Sequence, residues 1–413
     1  MPTHEGPRTV ADHLAEVLAL VAALPPVTVP LDDALGLVLA EDVTAPEALP
    51  RFANSAMDGY AVHSRDVAGA SDEHPVTLPV VLDLPAGADA RTPVAPGTVA
   101  RIMTGAPMPP GADAIVPVER TDAGERMVTI SAPAAPGAHV RRAGEDVAAG
   151  AVVLAAGQEL TPYRVAAIAS VGRAEVLAHR RPRVLVMSTG SELVVPGEAM
   201  RHGQIPDSNS YLLAAAARAA GASVVRLGAV PDDADALRAA LGAERPDVDL
   251  VLTSGGVSQG AYDVVKEVLI GLPEMRFMPV AMQPGKPQGM GRLEDGTPVL
   301  ALPGNPVSAF VSFEAFVRPA LLALRGLTGA ALHRPRVRAR AAEGWSSPAG
   351  REQHIPVVLT EGEHGLEARP AANRGSGSHL VASLALADGL AIVPRDVSAV
   401  GVGDEVAVVR IAP

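Results

Sequence analysis

The chain has 413 residues, 48% hydrophobic and 19% charged, with a formal net charge of −12 and no cysteine. That length exceeds one ordinary domain and predicts two to four. The charge argues against a general nucleic-acid binder, and the missing cysteines exclude disulfides, thiolate metal sites and cysteine nucleophiles. One Trp, four Tyr and five Phe leave Ala, Val and Leu to fill the cores, while 40 glycines and 38 prolines predict many short loops. The N-terminus lacks a signal-peptide apolar region and no apolar run is long enough to span a bilayer, so a cytoplasmic protein without a membrane partner is expected.

Residues 9–24, TVADHLAEVLALVAAL, predict a helix. Thr9 is the cap, Val10, Leu14, Val17, Leu18, Val21 and Leu24 share one face, and Pro25 and Pro26 end it. From 47 to 141 the texture changes to short apolar runs broken by Pro and Gly, as in VTLPVVLDLPAG and RIMTGAPMPPGADAIVPVE, which predicts a β-rich domain. TPYRVAAIASVG (161–172) returns to helix, with Thr161 as cap and Gly172 just past the end. A helical first part, a β insert and a helical return predict one discontinuous linker domain, 1–46 with 142–182, around an inserted domain at 47–141.

In residues 183–326 the buried-type strands RVLVMS, SVVRLGAV and DLVLTS alternate with helices near 209–220, 232–243, 261–270 and 306–325. That alternation predicts a doubly wound α/β domain, its sheet parallel and its helices on both faces. Ligands of such sheets bind beyond the carboxyl ends of the strands, where this chain carries STGSE, SGG and LPGNP. Residues 331–413 read as a small β-barrel or sandwich.

The loops carry the candidate chemistry. STGSEL (188–193) follows a strand and offers an anion backbone N–H groups and the hydroxyls of Ser188 and Thr189 beside Gly190. Glu192 adds a carboxylate there, which repels a phosphate unless a cation bridges the two. TSGGVSQGAYD (253–263) lets backbone approach a ligand at Gly255 and Gly256, with Ser254 and Ser258 as donors. Asp263, at a predicted helix start, is explained equally by the helix dipole. PGKPQG (284–289) holds Lys286, one of two lysines beside Lys266, between Pro284 and Pro287; a composition that writes Arg elsewhere keeps a compact ammonium there. LPGNPVSAF (302–310) presents Asn305 and Ser308.

The insert adds NSAMDGYAV (54–62), Thr104, Gly105 and Asp113, the last read as a plain turn residue, and RRAGEDV brings Asp146. Arg374, Ser376, Ser378 and His379 are candidates to ring an oxyanion. No HExxH, GxSxG, Walker loop or strand-following GxGxxG occurs, which disfavours zinc-protease, esterase, P-loop and dinucleotide chemistry.

Taken in order, NSAMDGYAV, RIMTGAPMPPGADAIVPVE, RRAGEDV, STGSEL, PDSNSYLL, TSGGVSQGAYD, PGKPQG and LPGNPVSAF resemble the molybdopterin molybdenumtransferase family, relatives of the gephyrin C-terminal portion, along nearly the whole chain. The resemblance implies a four-domain subunit in an elongated homodimer, which inserts molybdate into adenylylated molybdopterin and releases AMP with Mg²⁺. It also implies a cleft shared between the α/β domain of one subunit and the β insert of its partner.

On that resemblance Glu192 and Asp263 organise Mg²⁺ and phosphates, and Asp58, Thr104 and Asp146 are functional positions of the insert and its return. Lys286, Pro287 and Ser308 with Arg351 and Ser378 face molybdate, and Asp207 and Asn209 of PDSNSYLL join the substrate-binding set. The upstream adenylyltransferase and molybdoenzyme acceptors are the implied protein partners. This chain departs in carrying Gln283 where many relatives have a second lysine, and in REQHIP, a loose match to the Arg-bearing string of the last domain. Two other readings stand beside it. A molybdopterin adenylyltransferase would need only 183–326, and a non-catalytic scaffold would need none of the acidic positions.

Overall fold

The computed structural model describes residues 8–243, 247–257, 264–272, 274–363, 365–372 and 379–411. Helix α1 (Val10–Ala19) starts at Thr9 with a capping box: the Asp12 N–H donates to Thr9 Oγ1 at 3.1 Å and Asp12 answers the Thr9 N–H. It ends before the expected Leu24: the Leu20 and Val21 N–H groups tighten onto the Val17 and Leu18 carbonyls, and farther on the Leu24 N–H donates to the Leu324 carbonyl at 2.9 Å.

The apolar side of α1 faces the α/β layer. Val17, Leu20 and Leu24 pack with Val184, Leu252, Phe316 and Leu324 of the α/β layer, where each large side chain buried is worth roughly 1.5–3 kcal/mol. His13 stands edge-on to Phe316 with ring centroids 4.6 Å apart.

Strand Pro26–Pro30 pairs antiparallel with Glu175–His179, and Val43–Thr44 pairs with Val152–Leu154. Leu37, Leu39, Leu160 and Ile168 form the core between these segments and helix α2 (Pro162–Ser170). Thr161 precedes α2 without a side-chain cap bond. The buried guanidinium of Arg325 ties this part to the α/β layer, reaching the Gly36 carbonyl at 2.8 Å, the Ala220 carbonyl at 3.0 Å and the Glu159 carboxylate at 2.7 Å.

Between them lies a five-stranded sheet in the order Ala114–Pro117, Gly59–Val62, Val99–Ile102, Val76–Leu84, Met127–Ile130. Both of its faces are covered. Tyr60, Val62 and Val116 enter one cluster, while Ala61 and Ile115, one residue on or back, enter the other. This is the two-residue period of a strand.

The α/β sheet runs Ser223–Val230, Arg183–Thr189, Leu250–Ser254, Pro298–Leu302, Pro287–Arg292, Arg276–Pro279. The first four strands are parallel, as expected, and the sheet is extended by two strands that each pair antiparallel with the preceding one. The antiparallel pair is a hairpin-like continuation whose glycines hide it. A Cβ at Gly289 would meet the Phe277 ring at 2.7 Å, and one at Gly291 the Met275 Cα at 2.6 Å.

One face carries α1, α3 (Asn209–Ala219), α6 (Pro306–Ser312) and α7 (Arg318–Leu324). The other carries α4 (Ala234–Ala243) and α5 (Val264–Leu269). Through a π turn at Phe313–Val317, α6 and α7 form one 19-residue helix over the span expected near 306–325, apolar enough on average to match a membrane span. Glu314 and Arg318 interrupt its apolar run, and most of it is buried in the core.

The last part is a closed five-stranded barrel. Glu352–Gly362 pairs with both Gly365–Pro370 and Gly389–Val393, and Arg336–Ala341 and Glu405–Arg410 complete the circuit. It includes one short helix, α8 (Val381–Leu384). Met282–Gln283 pairs in parallel with Glu352–Gln353 and joins the barrel to the α/β layer.

Candidate functional site

The parallel strands Arg183–Thr189, Ser223–Val230, Leu250–Ser254 and Pro298–Leu302 end on one rim, and an antiparallel neighbour must begin there. The start of Pro287–Arg292 therefore falls beside the loops that follow Thr189, Ser254 and Leu302. A cleft of about 800 Å³ opens along this rim.

Of the residues singled out from sequence, Thr189, Gly190, Glu192, Asp207, Asn209, Ser254, Gly255, Gly256, Pro287, Asn305 and Ser308 line it together. Ser188 does not. It is the penultimate residue of its strand, fully buried behind the rim, because the strand runs on through Thr189. Asp263 and Ser378, with Ser258, Arg374 and Ser376, lie outside the described residues.

Asn209 organises the floor. Its amide Nδ2 donates to Ser254 Oγ at 2.9 Å and to the Gly304 carbonyl at 2.6 Å, and Ser254 donates to the Pro303 carbonyl at 3.1 Å. Asp207, buried at 2% exposure, accepts from the N–H and hydroxyl of Ser210, which also accepts from Arg226. Two buried polar atoms of this floor have no partner among the described residues, Thr189 Oγ1 and Asn209 Oδ1. A buried polar atom left unpaired costs about 1–3 kcal/mol.

The loops approach closely. Gly255 has φ +100°, and a Cβ there would meet the Thr189 carbonyl oxygen at 2.5 Å. Glu192 lies exposed at the wall, its carboxylate against Gly190, while its carbonyl accepts from the Ile205 N–H at 2.9 Å.

Asp232 also lines the cleft, and sequence reasoning missed it. Its carboxylate accepts from the Ser191 N–H at 2.9 Å, and Ser191 Oγ accepts from the Asp232 N–H at 3.0 Å. The signal was its place just beyond strand Ser223–Val230, where ligand loops are expected. Buried Gln288 was missed as well. Its amide ties the Gly285 carbonyl at 2.6 Å to Ser312 Oγ at 2.7 Å, fixing the turn that carries Lys286. His379 and Val381 reach the cleft from the last part of the chain.

Lys286 is exposed and lines a neighbouring cavity instead. Arg351 lies outside both cavities, next to Glu352, whose N–H donates to the Ala281 carbonyl at 2.9 Å. Among the described residues no group of three or more metal-ligating side chains occurs.

The insert holds a separate constellation. The Asp58 carboxylate accepts from the N–H and the hydroxyl of Thr104, both at 2.7 Å. These two hydrogen bonds hold the Asp58 carboxyl below its usual range. Asp146, exposed, hangs from the turn that bonds its N–H to the Leu49 carbonyl at 3.0 Å. None of the three lines the cleft of its own chain. Asp113 accepts from the N–H and hydroxyl of Ser64 at 2.6 and 2.8 Å, in keeping with a structural turn.

Three family models match in succession: the MoeA N-terminal region (domain I and II) over 8–172, a probable molybdopterin binding domain over 185–323, and the MoeA C-terminal region (domain IV) over 338–411. Molybdopterin molybdenumtransferase 2 of Mycobacterium tuberculosis is 48% identical over 409 residues, covering 97% of this chain and 99% of that one. Molybdopterin molybdenumtransferase 1 of the same organism is 39% identical, covering 98% and 99%. A crystal structure of a molybdopterin biosynthesis MoeA protein from Pyrococcus horikosii superposes with a TM-score of 0.83 at 32% identity, covering 99% of this chain and 100% of that one.

Proposed function

The chain belongs to the molybdopterin molybdenumtransferase family, and from that membership we propose that its rim cleft binds adenylylated molybdopterin for molybdate insertion and AMP release. It is a transferase of molybdenum cofactor biosynthesis. The observation that carries the reading is the cleft floor, where Thr189 Oγ1 and Asn209 Oδ1 are buried without partners among the described residues, beside close-approaching backbone at Gly255 and Gly256. This floor suits a ligand with both anionic and hydrogen-bond-donating edges. Lys286 faces the incoming molybdate, where an ammonium at ~4 Å from a unit charge gains roughly 4 kcal/mol at an effective dielectric near 20.

Among the described residues the donor set fits Mg²⁺ through Glu192. Asp207 and Asp232 are engaged by Ser210 and Ser191, so Glu192 is the one described carboxylate of the cleft without such an anchor. Mg²⁺ commonly binds one or two carboxylates together with substrate phosphates and water, and Glu192 would hold it in that manner. When bound, the ion supplies Lewis acidity at the adenylyl phosphate.

We further place Asp58, Thr104 and Asp146 in the cleft of a second copy of the chain, in a homodimer, since they are held ready and line no cleft of their own. A cytoplasmic location, with an adenylyltransferase upstream and molybdoenzymes as acceptors, fits the absence of cysteine and the chemistry of the substrate.

AMP release from adenylylated molybdopterin and Mg²⁺, with and without molybdate, tests the function. Release that depends on molybdate is expected. Binding of the nucleotide with no release at any molybdate concentration would instead mark a non-catalytic scaffold.

A further inference from the structure

A second cavity of about 280 Å³ adjoins the cleft, sharing Val257 and Pro287 with its wall. The two lysines of the whole chain, Lys266 and Lys286, both line it. They come from different elements, α5 and the turn before strand Pro287–Arg292, and nothing in the sequence spacing brings them together. The rest of the described wall is apolar, chiefly Phe277 and Met278, with no carboxylate. Both backbones are pinned: the Lys266 N–H donates to the Gly256 carbonyl at 3.1 Å, and the Lys286 carbonyl accepts from the Val280 N–H at 2.7 Å.

Two ammonium side chains lining one cavity with apolar walls and no described carboxylate concentrate positive charge there, which favours an anion between them. An arginine fork favours a planar partner, whereas an ammonium is a compact point charge that an oxygen can approach from any side. Two monocations also balance one dianion. We infer that Lys266 and Lys286 together form a subsite for a tetrahedral oxyanion dianion, in which Lys266 supplies the cation that Gln283 does not.

This inference rests on the molybdate-insertion reading and assigns the chain its second molybdate-facing cation. Two tetrahedral oxyanion groups are at hand in that reaction, free molybdate, a dianion, and the singly charged phosphates of the nucleotide substrate, so the test separates them. Full-length wild type, Lys266→Gln and Lys266→Met are assayed for AMP release, first varying molybdate at saturating nucleotide substrate, then the reverse.

Lys266→Gln is expected to raise half-saturating molybdate about tenfold, equivalent to ~1.4 kcal/mol, with Lys266→Arg recovering part of the loss. A rise confined to the nucleotide substrate keeps the subsite and gives it to the phosphate. Unchanged half-saturation for both, in variants that melt like wild type, overturns it.

If wild-type release ignores molybdate, it is the reading of function that fails. The subsite is then judged by calorimetry with molybdate alone, where wild-type binding lost in Lys266→Gln and Lys266→Met upholds it, and no binding, or equal binding in all, overturns it.

Discussion

Asn209 is hydrogen-bonded across the floor of the cleft to Ser254, its Nδ2 lying 2.9 Å from Ser254 Oγ and 2.6 Å from the Gly304 carbonyl. One amide thus joins the loops after three different strands. Asn209→Ala removes both bonds and the unpartnered acceptor together, so substrate binding is expected to weaken by about 1–3 kcal/mol. Equilibrium titration with adenylylated molybdopterin measures it. Asn209→Asp should bind more weakly still, because a further carboxylate joins Glu192, Asp207 and Asp232 along the cleft.

Gly255→Ala confronts the new methyl with the Thr189 carbonyl oxygen at 2.5 Å, at a φ of +100°. The strain is of order 1–3 kcal/mol, and relief must move the loop that forms the cleft. A lowered melting temperature and a loss of AMP release larger than the stability loss explains are expected. Gly296→Ala, at an exposed turn with open space around it, should cost stability without that extra loss.

Asp58 and Glu192 provide a test of the dimer. If the Asp58–Thr104 pair serves the partner's cleft, Asp58→Asn and Glu192→Gln are each inactive alone. Co-refolded in equal amounts, they should recover about a quarter of wild-type activity, since half the dimers are mixed and each mixed dimer has one intact cleft. No recovery, with dimers confirmed by light scattering, would return both residues to the same site.

His13 should make the fold acid-sensitive. Burial first, then the charges of Arg8 and Arg276, hold its imidazole down at about 4 against an ordinary 6.5. Between those values the unfolded chain binds the proton and the folded chain does not, so stability is fully present above pH 6.5 and falls as pH drops toward 4. At pH 5 the loss is about 2 kcal/mol. Urea melts of wild type and His13→Phe at pH 7 and pH 5 should show the wild type losing more of its stability.

Much of the α/β layer was legible because its strands are unbroken apolar runs and its turns carry Gly, Ser and Thr at their ends. The strand Pro287–Arg292 was not. Its glycines exist to admit Phe277 and Met275, and in sequence that necessity looks like a turn. Asp58 and Thr104 were each visible as odd polar residues, but their pairing across 46 positions was not, since no local rule couples them. Asp232 escaped because its mate, Ser191, lies 41 residues away. Ser188 was over-read for the opposite reason: a hydroxyl near a strand end tells nothing about which side of the last pleat it occupies.

Helix α1 leaves the ribosome roughly 300 residues ahead of Phe316 and Leu324, against which it packs. At about 5–20 residues per second, roughly 300 residues of synthesis keep its apolar side bare for tens of seconds. The nascent chain therefore carries an unsatisfied amphipathic segment through most of its translation, and the α/β layer closes only when α7 arrives to cover it. Stalled or truncated products ending before α7 should be preferred clients of the chaperones that bind exposed helices, whereas products ending just after it should already resist proteolysis at α1.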